Sequence, residues 1–358
     1  EKFDRQTDSL RKIQMTAPRI SALMNPFTYI IINVGLIMLI YTGALRVELG
    51  ILTQGQVVAL VNYMSQILVE LVKLANLIIT VTKAVACGNR VQSVFEIPAG
   101  MEGKTGNPAR QTEQGRVDFE GVSMKYHEGG EEALTDITFH AQKGDTIGVI
   151  GGTGSGKTSL VHLIPRFYDV ETGCVRVDGV DVRDYDLVSL RDKIGIVMQK
   201  AVLFQGTIRE NLLWGNESAS DEELWQALRI SQAEEFVLQK EGGLDARIEQ
   251  EGRNLSGGQK QRLSIARALV KKPEILILDD SASALDYATD AKLRKAIKEM
   301  PGETTVFIVS QRASSLMHAD LIIVLDDGCV AAMGKHEQLL ESCQVYQEIY
   351  YSQFENHS

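Results

Sequence analysis

Cysteine is scarce and scattered. The four cysteines, Cys87, Cys174, Cys329 and Cys343, include no close-spaced pair. This excludes a disulfide-stapled secreted scaffold and a cysteine-built metal site, and it suits a reducing compartment, with the four thiols read as packing residues. Positive charge is also in deficit, with 37 Lys and Arg against 47 Asp and Glu and a net charge of -10. That balance excludes nonspecific nucleic-acid binding as the main activity, so no nucleic-acid partner is expected and any anionic ligand must be held by local positive groups. There is no internal repeat or low-complexity tract, and 44% hydrophobic with 23% charged residues excludes a disordered tail. No basic leader with a cleavage site precedes the apolar segments, so no signal peptide is expected. At 358 residues the chain has the mass of two domains rather than one small module.

The apolar residues that are present divide the chain. No charged residue occurs from Ile20 to Leu45, a run long enough to cross a bilayer as a helix of about 20 residues. A second, weaker span covers 51–79, with Gln54, Gln56, Asn62 and Gln66 at intervals that suggest one face toward protein or water. A buried soluble hairpin is the alternative, and the length of the first run argues against it. Lys2, Arg5, Arg11, Lys12 and Arg19 precede the first span, while the 46–50 loop holds one Arg and one Glu, so both ends of the hairpin are expected on the cytoplasmic side. Glu70 and Lys73 lie three apart on one helix face, where they read as a self-satisfied pair in preference to part of a substrate path. The helical pattern continues to about Ile97. Residues 98–115, rich in glycine and proline, read as a linker between a helical membrane segment at 1–97 and a domain at 116–354.

Beyond the linker, short β-branched runs at 117–119, 146–150, 194–198, 275–278, 304–309 and 321–325 alternate with helical segments, which predicts an α/β domain with a largely parallel sheet. Ser220 to Glu223 forms a capping box that opens one of those helices. The 146–150 run leads directly into Gly151, Gly152, Thr153, Gly154, Ser155, Gly156, Lys157 and Thr158, followed by Ser159 and an apolar helical stretch. That is the strand, phosphate loop and helix context of a P-loop nucleotide site. Its glycines let backbone N–H groups face phosphate oxygens, Lys157 supplies a point charge, and the Thr158 hydroxyl is a ligand for Mg²⁺. The apolar run 275–278 ends in Asp279 and Asp280, at the strand tip where open α/β sheets place ligands, and Asp279 is suited to hold Mg²⁺. Ser256, Gly257, Gly258 and Gln259 open another helix and form a second anion-binding end. Two phosphate-gripping elements for one nucleotide suggest a site shared between subunits.

With LSGGQ at 255–259, the chain from Arg116 to about Phe354 resembles the nucleotide-binding domain of ABC transporters. The resemblance implies ATP and Mg²⁺ as cofactors and a second half-transporter as partner. It also implies that Tyr126 stacks on adenine, that Gln199 senses Mg²⁺ at the contact with the membrane domain, and that Asp286, in the SALD run, communicates across the dimer. The loop IEQEGRN at 248–254 is similar to the exporter segment that touches the coupling helices, although its order departs from the usual acidic pattern. Membrane helices before the ATPase are the order of ABC exporters. The two spans match the fifth and sixth of a six-span half, so the chain is expected to be the C-terminal part of a multi-pass cell-membrane protein, surrounded by lipid and exporting a substrate that the sequence does not identify.

Two positions depart from that family pattern. The catalytic carboxylate, normally glutamate, is Asp280, one methylene shorter. A shortfall of roughly an ångström can cost on the order of 10²-fold in rate. The switch histidine is Gln311, which can donate a hydrogen bond to the γ-phosphate but cannot carry charge. Together they predict a site that binds ATP and hydrolyses it slowly, as in the degenerate sites of heterodimeric exporters. The alternatives are a homodimer with two slow sites and a regulatory nucleotide-binding module without turnover. Chromosome-maintenance ATPases share the signature, but no coiled-coil insertion is present and membrane spans have no place in them.

Overall fold

The computed structural model describes residues 26–96 and 116–354, apart from residues 128 and 301. The expected linker and the start of the first expected span therefore lie outside the described residues. The chain divides into two compact units, one on either side of residue 100.

In the first unit, a helix over Pro26–Glu48 and a second of 42 residues over Gln54–Phe95 are long and apolar enough to cross a membrane. Thr53 opens the second helix, its N–H donating to Gln56 Oε1 at 2.8 Å. Large apolar side chains such as Phe27, Ile37, Ile67 and Ile78 are at least 60% exposed. A patch of that extent is unfavourable in water and suits hydrocarbon. Polar side chains along both helices satisfy themselves locally, Thr42 Oγ1 donating to Met38 O at 2.7 Å and Thr80 Oγ1 to Asn76 O at 2.8 Å. Lys73 and Glu70 pair at 2.7 Å, as their spacing predicts. The two helices meet where they lack side chains: a methyl group at Gly43 would lie 2.7 Å from Val57, and one at Gly35 3.2 Å from Met64. Small residues are what allow such close approach between membrane helices.

The second unit is built on a 6-stranded sheet in the order Cys329–Gly334, Leu321–Asp326, Thr146–Gly151, Thr305–Val309, Ile275–Asp279, Ile194–Val197. All neighbours are parallel except the first pair. Every residue of Ile275–Asp279 and Thr305–Val309 is buried, which explains why these segments read as continuous apolar runs: both faces of a central parallel strand are covered. A second, antiparallel sheet takes the order Glu132–Ala141, Val117–Lys125, Thr172–Val177, Val180–Asp181. Two buried clusters fill the unit, one centred on Phe119, Ile147, Leu160 and Phe307 and the other on Leu228, Leu263, Leu278 and Tyr346. The expected capping box is formed, Ser220 N–H donating to Glu223 Oε2 at 2.8 Å.

The packing role read for the cysteines holds for Cys343 alone, which is buried; Cys174 is half-buried, while Cys87 and Cys329 are exposed. Cys329 begins the edge strand, whose residues alternate between exposed and half-buried, and Cys87 lies on the long helix, none of whose residues is buried.

Candidate functional site

Three parallel strands end side by side: Thr146–Gly151, flanked by Thr305–Val309, which is in turn flanked by Ile275–Asp279. Their C-terminal tips carry the phosphate loop, Gln311 and the Asp279–Asp280 pair. The tips surround a cleft of about 360 Å³ lined by Tyr126, Thr153, Gly154, Gly156, Lys157, Thr158, Ser159, Gln199, Asp279, Asp280 and Gln311. Residues separated by most of the domain's length are thus gathered by one feature of sheet topology, the open crevice at strand ends.

Glycine is required at defined points of the loop. Gly154 and Gly156 have φ of +85° and +93°, a region that L side chains rarely adopt. A methyl group at Gly151 would lie 2.2 Å from Leu325 O, whereas at Gly152 or Gly154 it would meet nothing within 4 Å. The first glycine is therefore needed for packing, and Gly154 leaves backbone open on the cleft it lines, whereas Gly151, Gly152 and Ser155 are not part of the lining. Lys157 is 8% exposed and opens the helix Lys157–Leu163. Its Nζ donates to Gly151 O at 2.9 Å and also to Gly152 O. Burial pulls its pKa below the usual lysine range against the opposing pull of Asp280 and Asp279. An ammonium that is under-compensated in this way gains most from an incoming polyphosphate.

Thr158 Oγ1 donates to Asp279 Oδ1 at 2.9 Å, and Asp279 is 1% exposed. Burial raises the Asp279 pKa, opposed by the Thr158 hydrogen bond and by His162 and Lys157. His162 went unnoticed in the sequence: it is buried, with Nε2 3.6 Å from Asp279 Oδ2 and no hydrogen-bond partner, and burial lowers its pKa. Nothing in a lone histidine on an apolar helix marks it as a neighbour of the strand-tip aspartate. Thr158, Asp279 and Gln199 supply a hydroxyl, a carboxylate and an amide, a hard oxygen set that fits Mg²⁺ completed by phosphate oxygens and water. No group of three His, Cys, Asp or Glu able to hold a metal occurs among the described residues.

Gln199 is engaged with Asp280, its Nε2 donating to Asp280 Oδ2 at 3.1 Å. Asp280 has φ of +46°, and its N–H donates to Val309 O at 3.0 Å. Burial raises the Asp280 pKa, and the neighbouring Asp279 adds to the rise. Aspartate tolerates the left-handed region better than longer side chains do, because its short polar group bonds locally. Gln311 is exposed on the cleft wall. Tyr126 is 47% exposed; its hydroxyl lies 2.6 Å from Ser159 Oγ, and its ring meets Tyr168 edge-on at 5.0 Å. One ring is thereby fixed at the cleft with a face available for stacking.

Ser256, Gly257, Gly258 and Gln259 do not line this cleft. They open the helix Gly257–Val270, where Gln259 N donates to Ser256 Oγ at 3.3 Å and Ser256 N to Gln259 Oε1 at 3.0 Å. The Ser256 hydroxyl accepts within the chain and keeps its own proton to give. A methyl group at Gly257 would meet nothing within 4 Å, so the helix end presents bare backbone. Asp286, expected to act across a dimer, caps the helix Tyr287–Lys298, accepting from Thr289 N at 2.9 Å and Thr289 Oγ1 at 2.8 Å.

Residues 134–283 match the family model described as ABC transporter. The chain is similar to an ABC transporter ATP-binding protein of Mycobacterium bovis, 38% identical over 358 residues, which covers 99% of this chain and 61% of that protein. It is also similar to a fatty acid ABC transporter ATP-binding/permease protein of Mycobacterium bovis, 34% identical over 349 residues, covering 98% and 55% respectively. Among solved structures, a bacterial Atm1-family ABC exporter with ATP bound matches with a TM-score of 0.77 at 30% identity, covering 93% of this chain and 58% of that one. The chain spans 55% to 61% of the length of these curated relatives.

Proposed function

Residues 134–283 belong to an ABC transporter ATP-binding domain, and from that premise we propose that the chain is the ATP-binding and C-terminal transmembrane part of an exporter half, working beside a distinct half-transporter. It binds ATP with Mg²⁺ in its own cleft and hydrolyses it slowly there. Residues 1–97 form the membrane portion, 98–115 the linker and 116–354 the ATPase, which lies on the cytoplasmic side. The observation that carries the shared-site reading is the separation on one chain of two phosphate-binding ends: the loop and strand-tip acids share a cleft that Ser256–Gln259 do not line. A helix end with bare backbone and a free serine proton needs an anion from elsewhere, and the nucleotide of a facing domain supplies one.

Within the cleft, the phosphate-loop N–H groups and Lys157 hold the β- and γ-phosphates, and Tyr126 takes the adenine. Thr158, Asp279 and Gln199 would hold Mg²⁺, which would neutralise phosphate charge as the γ-phosphoryl group passes to water with ADP as leaving group. Asp280 is placed to orient the attacking water, but its short side chain is held back by Gln199. Gln311 donates to the γ-phosphate. Closure of two such domains on ATP reorients the membrane helices and moves substrate outward. Replacing Lys157 with Ala tests the assignment by equilibrium ATP binding: affinity falls about tenfold or more, as loss of a charged hydrogen-bond donor requires. Binding unchanged within about twofold would refute it.

A further inference from the structure

The helix Gln344–Phe354 ends beside the segment that carries Gln311. It is anchored in its first turn by Tyr346, which is fully buried with its hydroxyl 2.8 Å from His336 Nδ1, and it packs on the strands Thr146–Gly151 and Leu321–Asp326. Two turns further on, the half-buried Gln353 uses both ends of its amide on one stretch of backbone: Nε2 donates to Gln311 O at 2.7 Å, and Oε1 accepts from Ala313 N at 2.9 Å. On the other side of the same segment, Arg312 donates to Leu285 O and Ser283 O, each at 3.3 Å, and lies 5.0 Å over the Tyr287 ring. Arg312 N–H is taken by Ser310 Oγ at 2.9 Å.

From this geometry we infer that Gln353 is a positioning residue for the γ-phosphate contact, a clamp through which the C-terminal helix sets the backbone of Gln311. The inference rests on the reading that Gln311 faces the γ-phosphate. A two-point amide clamp on residues 311 and 313 leaves the intervening backbone little freedom. The Gln311 side chain, otherwise exposed, is then presented at one angle to the cleft it lines. Gln353 never touches nucleotide. Its removal releases a loop, and the cost appears only when a third phosphate is there to be met.

The test uses the assembled transporter and photolabelling of this subunit by 8-azido-ATP, competed with ATP or with ADP. That readout reports this chain's cleft whether its partner is identical or distinct. Gln353→Ala is expected to weaken competition by ATP about three- to tenfold, the worth of one ordinary hydrogen bond, and to leave competition by ADP unchanged. Gln353→Glu, which keeps the acceptor toward Ala313 but places a carboxylate oxygen against the Gln311 carbonyl, is expected to show the same ATP-selective loss. In a Gln311→Ala background the Gln353 substitutions should add nothing further, because two residues acting through one contact are not additive. Equal losses for ATP and ADP, or full additivity with Gln311→Ala, would show a merely structural role and overturn the inference. If Gln311→Ala alone leaves the ATP-to-ADP ratio untouched, the reading of Gln311 itself fails. If Gln311→Ala shifts the ratio and the Gln353 variants do not, the clamp fails while that reading stands.

Discussion

At Asp280, three demands meet on the proposed function: a left-handed backbone, a half-buried negative charge and the orientation of water. The first favours aspartate or asparagine, the second opposes any carboxylate, and the third favours glutamate's length. Burial, and then the charge of Asp279, raises the Asp280 pKa, which fixes the sign of a stability effect. A carboxyl whose folded pKa lies above its unfolded value binds more protons in the folded state between those two values. Stability is therefore present at low pH and lost as pH rises through that window. Asp280→Asn removes the charge, tolerates φ of +46° and can still bond Gln199, so it should raise the unfolding midpoint of the nucleotide-free protein at neutral pH. The gain should shrink toward zero as pH falls below the folded pKa. Thermal unfolding of both proteins across mildly acidic to neutral pH measures this, and a gain that grows on acidification would show that burial is not what strains the site.

Among the elements, those that make the site were the most legible. The phosphate loop, the strand ending in Asp279 and Asp280 and the capped helices at Ser220 and Ser256 announce themselves because each depends on local chemistry: glycine where φ is positive, a serine where N–H groups lack partners, a continuous apolar run where both faces are covered. Glu132–Ala141 and Cys329–Gly334 were missed as strands because their burial alternates, so neither carries a continuous apolar run. His162 and Gln353 were illegible for a different reason, since their roles come from tertiary neighbours 117 residues or more away in the case of Asp279 and 42 in the case of Gln311. The helix Gly257–Val270 allows a test at its own scale. Gly257→Asp places an anion at an open helix N-terminus, a position that tolerates acids when no ligand is present, so folding and this chain's own ATP binding should be preserved. Turnover by the assembled transporter should nevertheless collapse, because the facing γ-phosphate meets a carboxylate. Loss of this chain's own ATP binding with turnover retained would contradict a shared site.

For the whole molecule, the chain divides into an apolar helical unit and an α/β unit, and on the proposed function free energy released where phosphates are gripped has to move helices in lipid. On the same proposal, a second domain completes either site, and a subunit with a slow cleft can still contribute Ser256, Gly257 and Gly258 to a partner's fast one. Among the described residues, two helices are long and apolar enough to cross a membrane. On the proposed function, Asp280 and Gln311 are what limit hydrolysis in this cleft. The most direct test is hydrolysis by the Asp280→Glu, Gln311→His double variant in a transporter whose partner keeps its signature helix but has lost its own phosphate-loop lysine and catalytic carboxylate, so that this site alone can turn over. The longer carboxylate reaches the water and the imidazole supplies a chargeable donor, so turnover should rise by about 10²-fold and by more than either single change, because the two groups serve one transition state. A double variant no faster than the parent would contradict the account.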